Sequence, residues 1–151
     1  MPDWNRLRIF RGYLMQISLT IEGAPVPAAR PRVTRWGTYN EPKYDRYKKQ
    51  VAIEYWNKYH NEQMFDRGVP LLAKLHFYRP IQKGLSKKEH ERRAKHEVKP
   101  IVKPDLDNYT KAVIDGLKRA WFDDGQITKY EIEKDYDEQP RVEILIEEWT
   151  K

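Results

Sequence analysis

The chain has 151 residues and a formal charge of +6, from 29 Lys and Arg against 23 Asp and Glu, and it contains no cysteine. That length fits one domain able to bury about two-thirds of its unfolded surface without disulfides, and the missing thiols exclude cysteine nucleophiles and cysteine-ligated zinc. No stretch approaches the ~18 apolar residues of a membrane span, and residues 1–8 lack the apolar core of a signal peptide. The expectation is a cytoplasmic protein with no membrane partner, its basic balance turned toward a polyanion.

Residues 1–14 carry Trp4 and Phe10 without clear periodicity and read as an N-terminal arm; residues 15–151 are expected to form the domain. Met15, Ile17, Leu19 and Ile21 alternate with polar residues, predicting a half-buried strand that Gly23 ends. Pro25, Pro27 and Pro31 then predict an extended segment without regular pairing. Arg30, Arg32 and Arg35 project from it, and because arginine's planar fork suits phosphate they are candidate contacts to a DNA backbone. Pro42 opens a predicted helix whose Tyr44, Tyr47, Val51, Tyr55 and Tyr59 recur at helical spacing and read as core rather than as a base-stacking platform. Past a turn at Asp66-Arg67-Gly68, Leu71, Ala73, Leu75 and Phe77 alternate with Leu72, Lys74, His76 and Tyr78 in a second strand. His76 reads as an outward strand residue, a poor metal ligand with no second ligand at metal spacing.

Residues 86–103 form the most basic run. A short helix is expected after Ser86, which can cap it, and Lys87, Lys88, Arg92, Arg93 and Lys103 are further candidate DNA contacts. The run leads into Lys103-Pro104-Asp105-Leu106-Asp107-Asn108. Pro104 disfavours helix at Lys103, and Asp107 reads as the N-cap of a helix from about Asn108, with Asp105 on the incoming segment. Tyr109, Ala112, Val113, Gly116, Leu117 and Ala120 fall on its apolar face, and Asp107, Lys111 and Asp115 on a face left open. Asp123-Asp124 follow where the chain turns at Gly125. Two unit charges about 4 Å apart repel by roughly 4 kcal/mol at an effective dielectric of about 20, so carboxylates drawn together call for a cation, and hard oxygen donors suit Mg²⁺. The same residues also read as helix caps and a plain turn, with Lys111 paired to Asp115. Finally, residues 127–134 and Arg141–Glu148 alternate as two strands that a turn at 135–140 joins into an expected hairpin. The order gives an α+β single domain, a mixed sheet of about four strands with two main helices packed on one face.

Several of these segments resemble the RusA family of Holliday-junction resolvases, often found in prophages. The resemblance rests on Arg30-Pro31-Arg32-Val33-Thr34, on Lys103-Pro104-Asp105-Leu106-Asp107-Asn108 with Lys111 and Asp115, and on Asp123-Asp124-Gly125-Gln126-Ile127 followed by Lys134, Tyr136 and Pro140. It spans about residues 17–146. It implies a homodimer that binds DNA four-way junctions and cuts two opposing strands symmetrically with Mg²⁺, Mn²⁺ substituting, and no organic cofactor. By motif it assigns catalysis to Asp105, Asp107, Lys111 and Asp124, and the ion to Asp105, Asp107 and Asp124, with Asp123 as a further candidate ligand. The chain departs from the family at Ala28 and Ala29, where a basic residue is common, and at Lys118-Arg119, where Asn-Gly is common. From the residues alone two other readings stay open, a non-catalytic basic DNA-binding module and a Mg²⁺-dependent nuclease for other branched DNA or RNA.

Overall fold

The computed structural model describes residues 15–149, so the expected N-terminal arm lies outside the described residues. In chain order the elements are β1 (Gln16–Glu22), β2 (Arg32–Thr34), β3 (Gly37–Tyr39), α1 (Pro42–Tyr59), β4 (Leu71–Pro80), α2 (Lys87–Ala94), α3 (Leu106–Gly116), β5 (Ile127–Asp137) and β6 (Arg141–Glu148). Single 3-10 turns at Lys118–Ala120 and Asp124–Gln126 join α3 to β5.

Four strands form one mixed sheet in the order β1-β6-β4-β5, and β2 pairs with β3 as a separate hairpin. β6 runs antiparallel to both β1 and β4, whereas β5 runs parallel to β4. Period-two alternation decides which side of the sheet is covered. Ile17, Leu19 and Ile21, Leu71, Ala73, Leu75 and Phe77, and Val142, Ile144 and Ile146 are all buried on one face. α1 and α3 pack there through the tyrosine stripe of α1 and through Tyr109, Ala112, Val113 and Gly116 of α3, as the spacing predicts. The fold is therefore the α+β domain expected, with both main helices on one face of a mixed four-stranded sheet. The other face carries Lys74, His76, Glu131, Glu133 and Glu143, and among the described residues no helix packs across it as α1 and α3 do on the first.

The expected β5–β6 hairpin does not form, because β4 lies between the two strands. Locally the two alternating strands and their short turn look like a hairpin, yet β4 buries Leu71, Leu72, Ala73, Leu75, Phe77 and Tyr78 and so competes best for a central place. The turn at 138–140 instead carries the chain past the end of β4. There the Arg141 guanidinium lies 3.9 Å over the Tyr78 ring and pairs with Asp137 and Glu143. β5 also runs on through Asp135, Tyr136 and Asp137, residues expected in the turn. The segment after Pro31 was expected to stay unpaired, but β2 begins immediately beyond that proline and pairs in register with β3. Proline blocks the ladder only at its own nitrogen, which leaves Arg32–Thr34 able to pair. The short helix after Ser86 is α2, and the Ser86 hydroxyl caps it by accepting from Glu89 N at 3.2 Å.

Candidate active site

The start of α3 is held in place before its carboxylates are presented. Lys134, on the helix-covered face of β5, donates to Val102 O at 2.8 Å and to Pro104 O at 3.0 Å, pinning the loop that contains the cis Lys103–Pro104 bond. The N-cap is Asp105 rather than Asp107, and the helix begins at Leu106. The helix thus starts two residues earlier than expected, because the restriction Pro104 imposes falls on Lys103 before it, and the extended residue that precedes the helix is Asp105 itself. Its side chain makes no capping bond. Asp105 and Asp107 are both exposed, and neither carboxylate has a hydrogen-bond or ion-pair partner among the described residues. The positive end of α3 favours two carboxylates at this position. Ala28 N donates to Asn108 O at 2.9 Å, which seats the arginine-bearing segment against the same turn.

Lys111 lies one turn further along, its ammonium 3.1 Å from Asp115 and its side chain 63% exposed. The face expected to stand open is partly closed here, because Asp115 is turned toward α1 and accepts a hydrogen bond from the Tyr44 hydroxyl. Burial opposes the Asp115 charge, but Tyr44, Lys111 and Lys118 together hold its carboxyl below the usual aspartate range. Tyr44 is pushed the other way, first by burial and then by that same hydrogen bond.

Asp123 and Asp124 play different parts. Asp123 caps the 3-10 turn, accepting from Gly125 N at 2.8 Å. Gln126, almost fully buried, fixes the whole turn: its carbonyl accepts from Phe122 N and Asp123 N, and its amide donates to Asp66 O and Val69 O. Asp124 is exposed, and one of its oxygens accepts from Trp121 Nε1 at 2.7 Å. Its charge reaches Tyr130, whose hydroxyl is raised by burial and then by Asp124. Tyr130 and Lys134 share one face of β5 about 13 Å apart along the strand. That face thus runs from the Asp124 turn to the loop that delivers Asp105.

Among the described residues, the group of three ligating side chains whose atoms come within 4.8 Å of one another is His76, Glu133 and Asp135. It lies on the face of the sheet opposite α1 and α3, and it corrects the reading of His76 as a histidine without neighbouring ligands. Parallel pairing sets His76 opposite Glu133. The group already holds a cation, since Lys99 donates to Asp135 at 2.6 Å while His76 Nε2 lies 2.7 Å from its other oxygen. Burial opposes the Asp135 charge, and Lys99 and His76 hold its carboxyl low.

The basic run is pinned along β5 by this Lys99 contact and by His90, which lies 3.0 Å from Glu138. Arg92 and Arg93 both pair with Glu89, and Arg93 also bonds Gln82 and lies over the Tyr136 ring. Lys87, Lys88 and Lys103 are exposed, as are Arg30, Arg32 and Arg35. Two residues outside the sequence reading also stand out. Trp36, beside Arg35, is 86% exposed. Near the first turn of α3, burial raises the Tyr109 hydroxyl and the positive charge of Arg79 opposes that rise, while Arg79 Nη1 is buried without a partner among the described residues.

The family model described as "Endodeoxyribonuclease RusA" matches residues 22–147, which makes the chain a nuclease by family. The chain belongs to the RusA endodeoxyribonuclease family of Holliday-junction resolvase nucleases. It is also 36% identical over 138 residues to "Uncharacterized protein YqaN" of Bacillus subtilis (strain 168), covering 87% of this chain and 96% of that protein.

The nucleases of this family depend on a metal ion. Asp105 and Asp107 fit one: they offer oxygen donors with no cationic partner of their own among the described residues, the chemistry that suits Mg²⁺.

Proposed function

We propose that this protein is a Mg²⁺-dependent endodeoxyribonuclease of the cytoplasm that resolves four-way DNA junctions, cutting two opposing strands symmetrically during recombination and repair. The observation that carries the reading is the pair of exposed, unpartnered carboxylates at the start of α3, Asp105 and Asp107. Asp105, Asp107 and Asp124 would hold the ion, with Asp123 as a further ligand, and Mn²⁺ would substitute. Bound there, Mg²⁺ supplies Lewis-acid stabilisation of phosphate charge and activation of water. The chain's own side chains do the rest. Lys111 swings from Asp115 to the scissile phosphate or the leaving oxygen, and Lys103, Arg30 and Arg32 grip the backbone on either side of it. Gln126 keeps Asp124 in place. One such centre cuts one strand, so a homodimer about a two-fold axis accounts for paired incision, and no organic cofactor is required.

Asp107→Asn tests the assignment. Asp107 is exposed and makes no contact that folding relies on, so the variant should fold and bind junctions normally while cleavage falls at least about a hundredfold. Full activity in Asp107→Asn would overturn it. A specific observation supports one other metal centre, the His76–Glu133–Asp135 group. His76→Ala should leave cleavage unchanged, and the opposite pattern in the two variants would move the centre to that face. Four-way, three-way, linear and RNA substrates, each with Mg²⁺ and with chelator, separate a resolvase from a nuclease without junction preference and from a module that only binds. Sedimentation as a monomer at micromolar concentration would refute the dimer.

A further inference from the structure

The β2–β3 hairpin presents apolar side chains to solvent in a way the nuclease chemistry does not require. Its strand residues are exposed throughout, with Val33 80%, Trp36 86% and Tyr39 48% exposed. Trp36 is held out deliberately. The register Thr34↔Gly37 leaves Arg35 and Trp36 as a two-residue tip. The Thr34 hydroxyl clamps that tip, donating to Gly37 O at 3.0 Å and accepting from Trp36 N at 3.2 Å. Gly37 takes a φ of +135°, a conformation open to glycine. The Arg35 guanidinium lies 4.9 Å from the Trp36 ring centroid, covering one side of the indole.

What would such a tip meet? Residues 24–40 contain Arg30, Arg32 and Arg35 and no carboxylate, so the partner is anionic. It must also offer flat apolar faces to an indole, a combination that nucleic-acid bases provide. Position selects among them, because the bond from Ala28 N to Asn108 O seats the root of this segment on the first turn of α3, beside Asp105 and Asp107. In continuous duplex the base faces are covered by their neighbours. At a branch point the terminal pairs of each arm expose theirs.

We propose that Trp36 stacks on a base exposed at the branch point of DNA, with Arg35 against the adjoining phosphate, and that this contact supplies selectivity for branched over linear DNA. The proposal rests on the junction reading above and names a residue of discrimination that the acidic site does not contain. Loss of one base–aromatic stack is expected to weaken binding between about fivefold and about a hundredfold.

The test is binding of Trp36→Ala and Trp36→Phe to a four-way junction, a linear duplex and a single strand, in chelator so that no cleavage intervenes. The junction carries 2-aminopurine at the branch point. Trp36 touches no core residue, so both variants should melt with the parent. Trp36→Ala should lose at least about fivefold on the junction and the single strand, with the duplex unchanged, and it should lose the 2-aminopurine signal that the parent gives on binding. Trp36→Phe should keep most of both. Junction affinity unchanged in Trp36→Ala overturns the proposal, as does an equal loss on junction and duplex, which would mark a backbone contact. Conversion of a dimer to monomer by Trp36→Ala, with affinity per dimer unchanged, overturns it in favour of contact with a second copy. If the parent itself shows no junction preference, the resolvase reading fails and the selectivity proposed for Trp36 falls with it, whereas a parent that prefers the junction and a Trp36→Ala variant that keeps that preference overturn the proposal alone.

Discussion

Gly116 sits where α3 comes closest to α1, and replacing it with alanine puts a calculable strain on the helix pair that carries Lys111 and Asp115. A Cβ built there would lie 2.7 Å from Val51 Cβ, 2.8 Å from Val51 Cγ1 and 3.1 Å from Lys48 O. The first two distances lie inside van der Waals contact, and Val51 is fully buried and cannot swing away. Alanine gains up to about 1 kcal/mol in helix propensity, less at Gly116 because it is the last helical residue. Overpacking a close contact costs about 1–3 kcal/mol. The net expectation for Gly116→Ala is a loss of about 1–2 kcal/mol, read as a drop of roughly 3–6 °C in melting temperature for a chain of this size. A second substitution distinguishes the clash from a general weakness of the helix end. Val51→Gly, which removes both the Cβ and the Cγ atoms that the new methyl would meet, leaves a cavity by itself, but in Val51→Gly/Gly116→Ala the methyl occupies it, so the double variant should be more stable than the sum of the singles by about 1 kcal/mol or more. Denaturant unfolding of all four proteins supplies the cycle. Gly116→Ala as stable as the parent, or strictly additive singles, would refute the close approach and with it the stated seating of α3.

Tyr44→Phe removes the hydrogen bond to Asp115 and should cost about 1–2 kcal/mol at pH 7. The Asp115 carboxyl is held low in the folded state, so its contribution is fully present above about pH 4 and is lost as pH falls through the lowered folded value. The gap between Tyr44→Phe and parent in urea unfolding should therefore narrow on acidification toward pH 2, and a constant gap would count against the assignment. Gln126→Ala opens four hydrogen bonds at once and should destabilise by roughly 2–4 kcal/mol in the same assay. Cleavage by that variant, measured where it remains folded, should need more Mg²⁺ because Asp124 is no longer held. Duplex affinity should fall with salt at a slope of about −0.9 per phosphate contacted, and Lys87→Ala or Arg32→Ala should each shallow that slope by about one. Arg93→Ala should shallow it less, since Arg93 is engaged with Glu89 and Gln82.

The elements that local pattern governs could be read directly. The tyrosine stripe of α1, the apolar face of α3 and the alternation in β1 and β4 each follow from a single period and a single buried face. What pattern does not encode is which strand lies beside which. β5 and β6 have the local marks of a hairpin, and only the competition of a third, more apolar strand for the centre places β4 between them. The same long-range pairing gathers His76 and Glu133, 57 positions apart in the chain, which no spacing rule could find. The β2–β3 hairpin escaped for a local reason, because its tip reads Thr34-Arg35-Trp36-Gly37 and lacks the Asn-Gly or Asp-Gly pair that usually signals a two-residue turn. In the acidic motif the residue types were legible but their division of labour was not. Asp123 and Gln126 shape the turn, Asp124 is presented by it, and Lys134 acts on the loop before Asp105 from thirty residues downstream.

Among the described residues, several acids crowded by their neighbours carry their own counter-charge. Asp135 has Lys99 and His76, Asp137 has Arg141, Asp115 has Lys111 and Tyr44, and Glu89 has Arg92 and Arg93. Each of these four carboxyls is held below its ordinary range, with burial opposing the partners at the three aspartates and the Arg93 hydrogen bond leading at Glu89. A protein with six more cations than anions thus has enough positive charge to neutralise its crowded acids internally, and it does so. Asp105 and Asp107 are set two residues apart at a helix start, with cationic side chains on both flanks, and have no such partner among the described residues. Mutual repulsion between them is the cost of that arrangement, and a divalent cation from solution is the species whose binding would recover it. The more firmly Lys134 and the Ala28–Asn108 bond hold this turn, the less of the binding energy of that cation is spent on ordering the chain, and the more of it remains for the phosphate the cation is there to polarise.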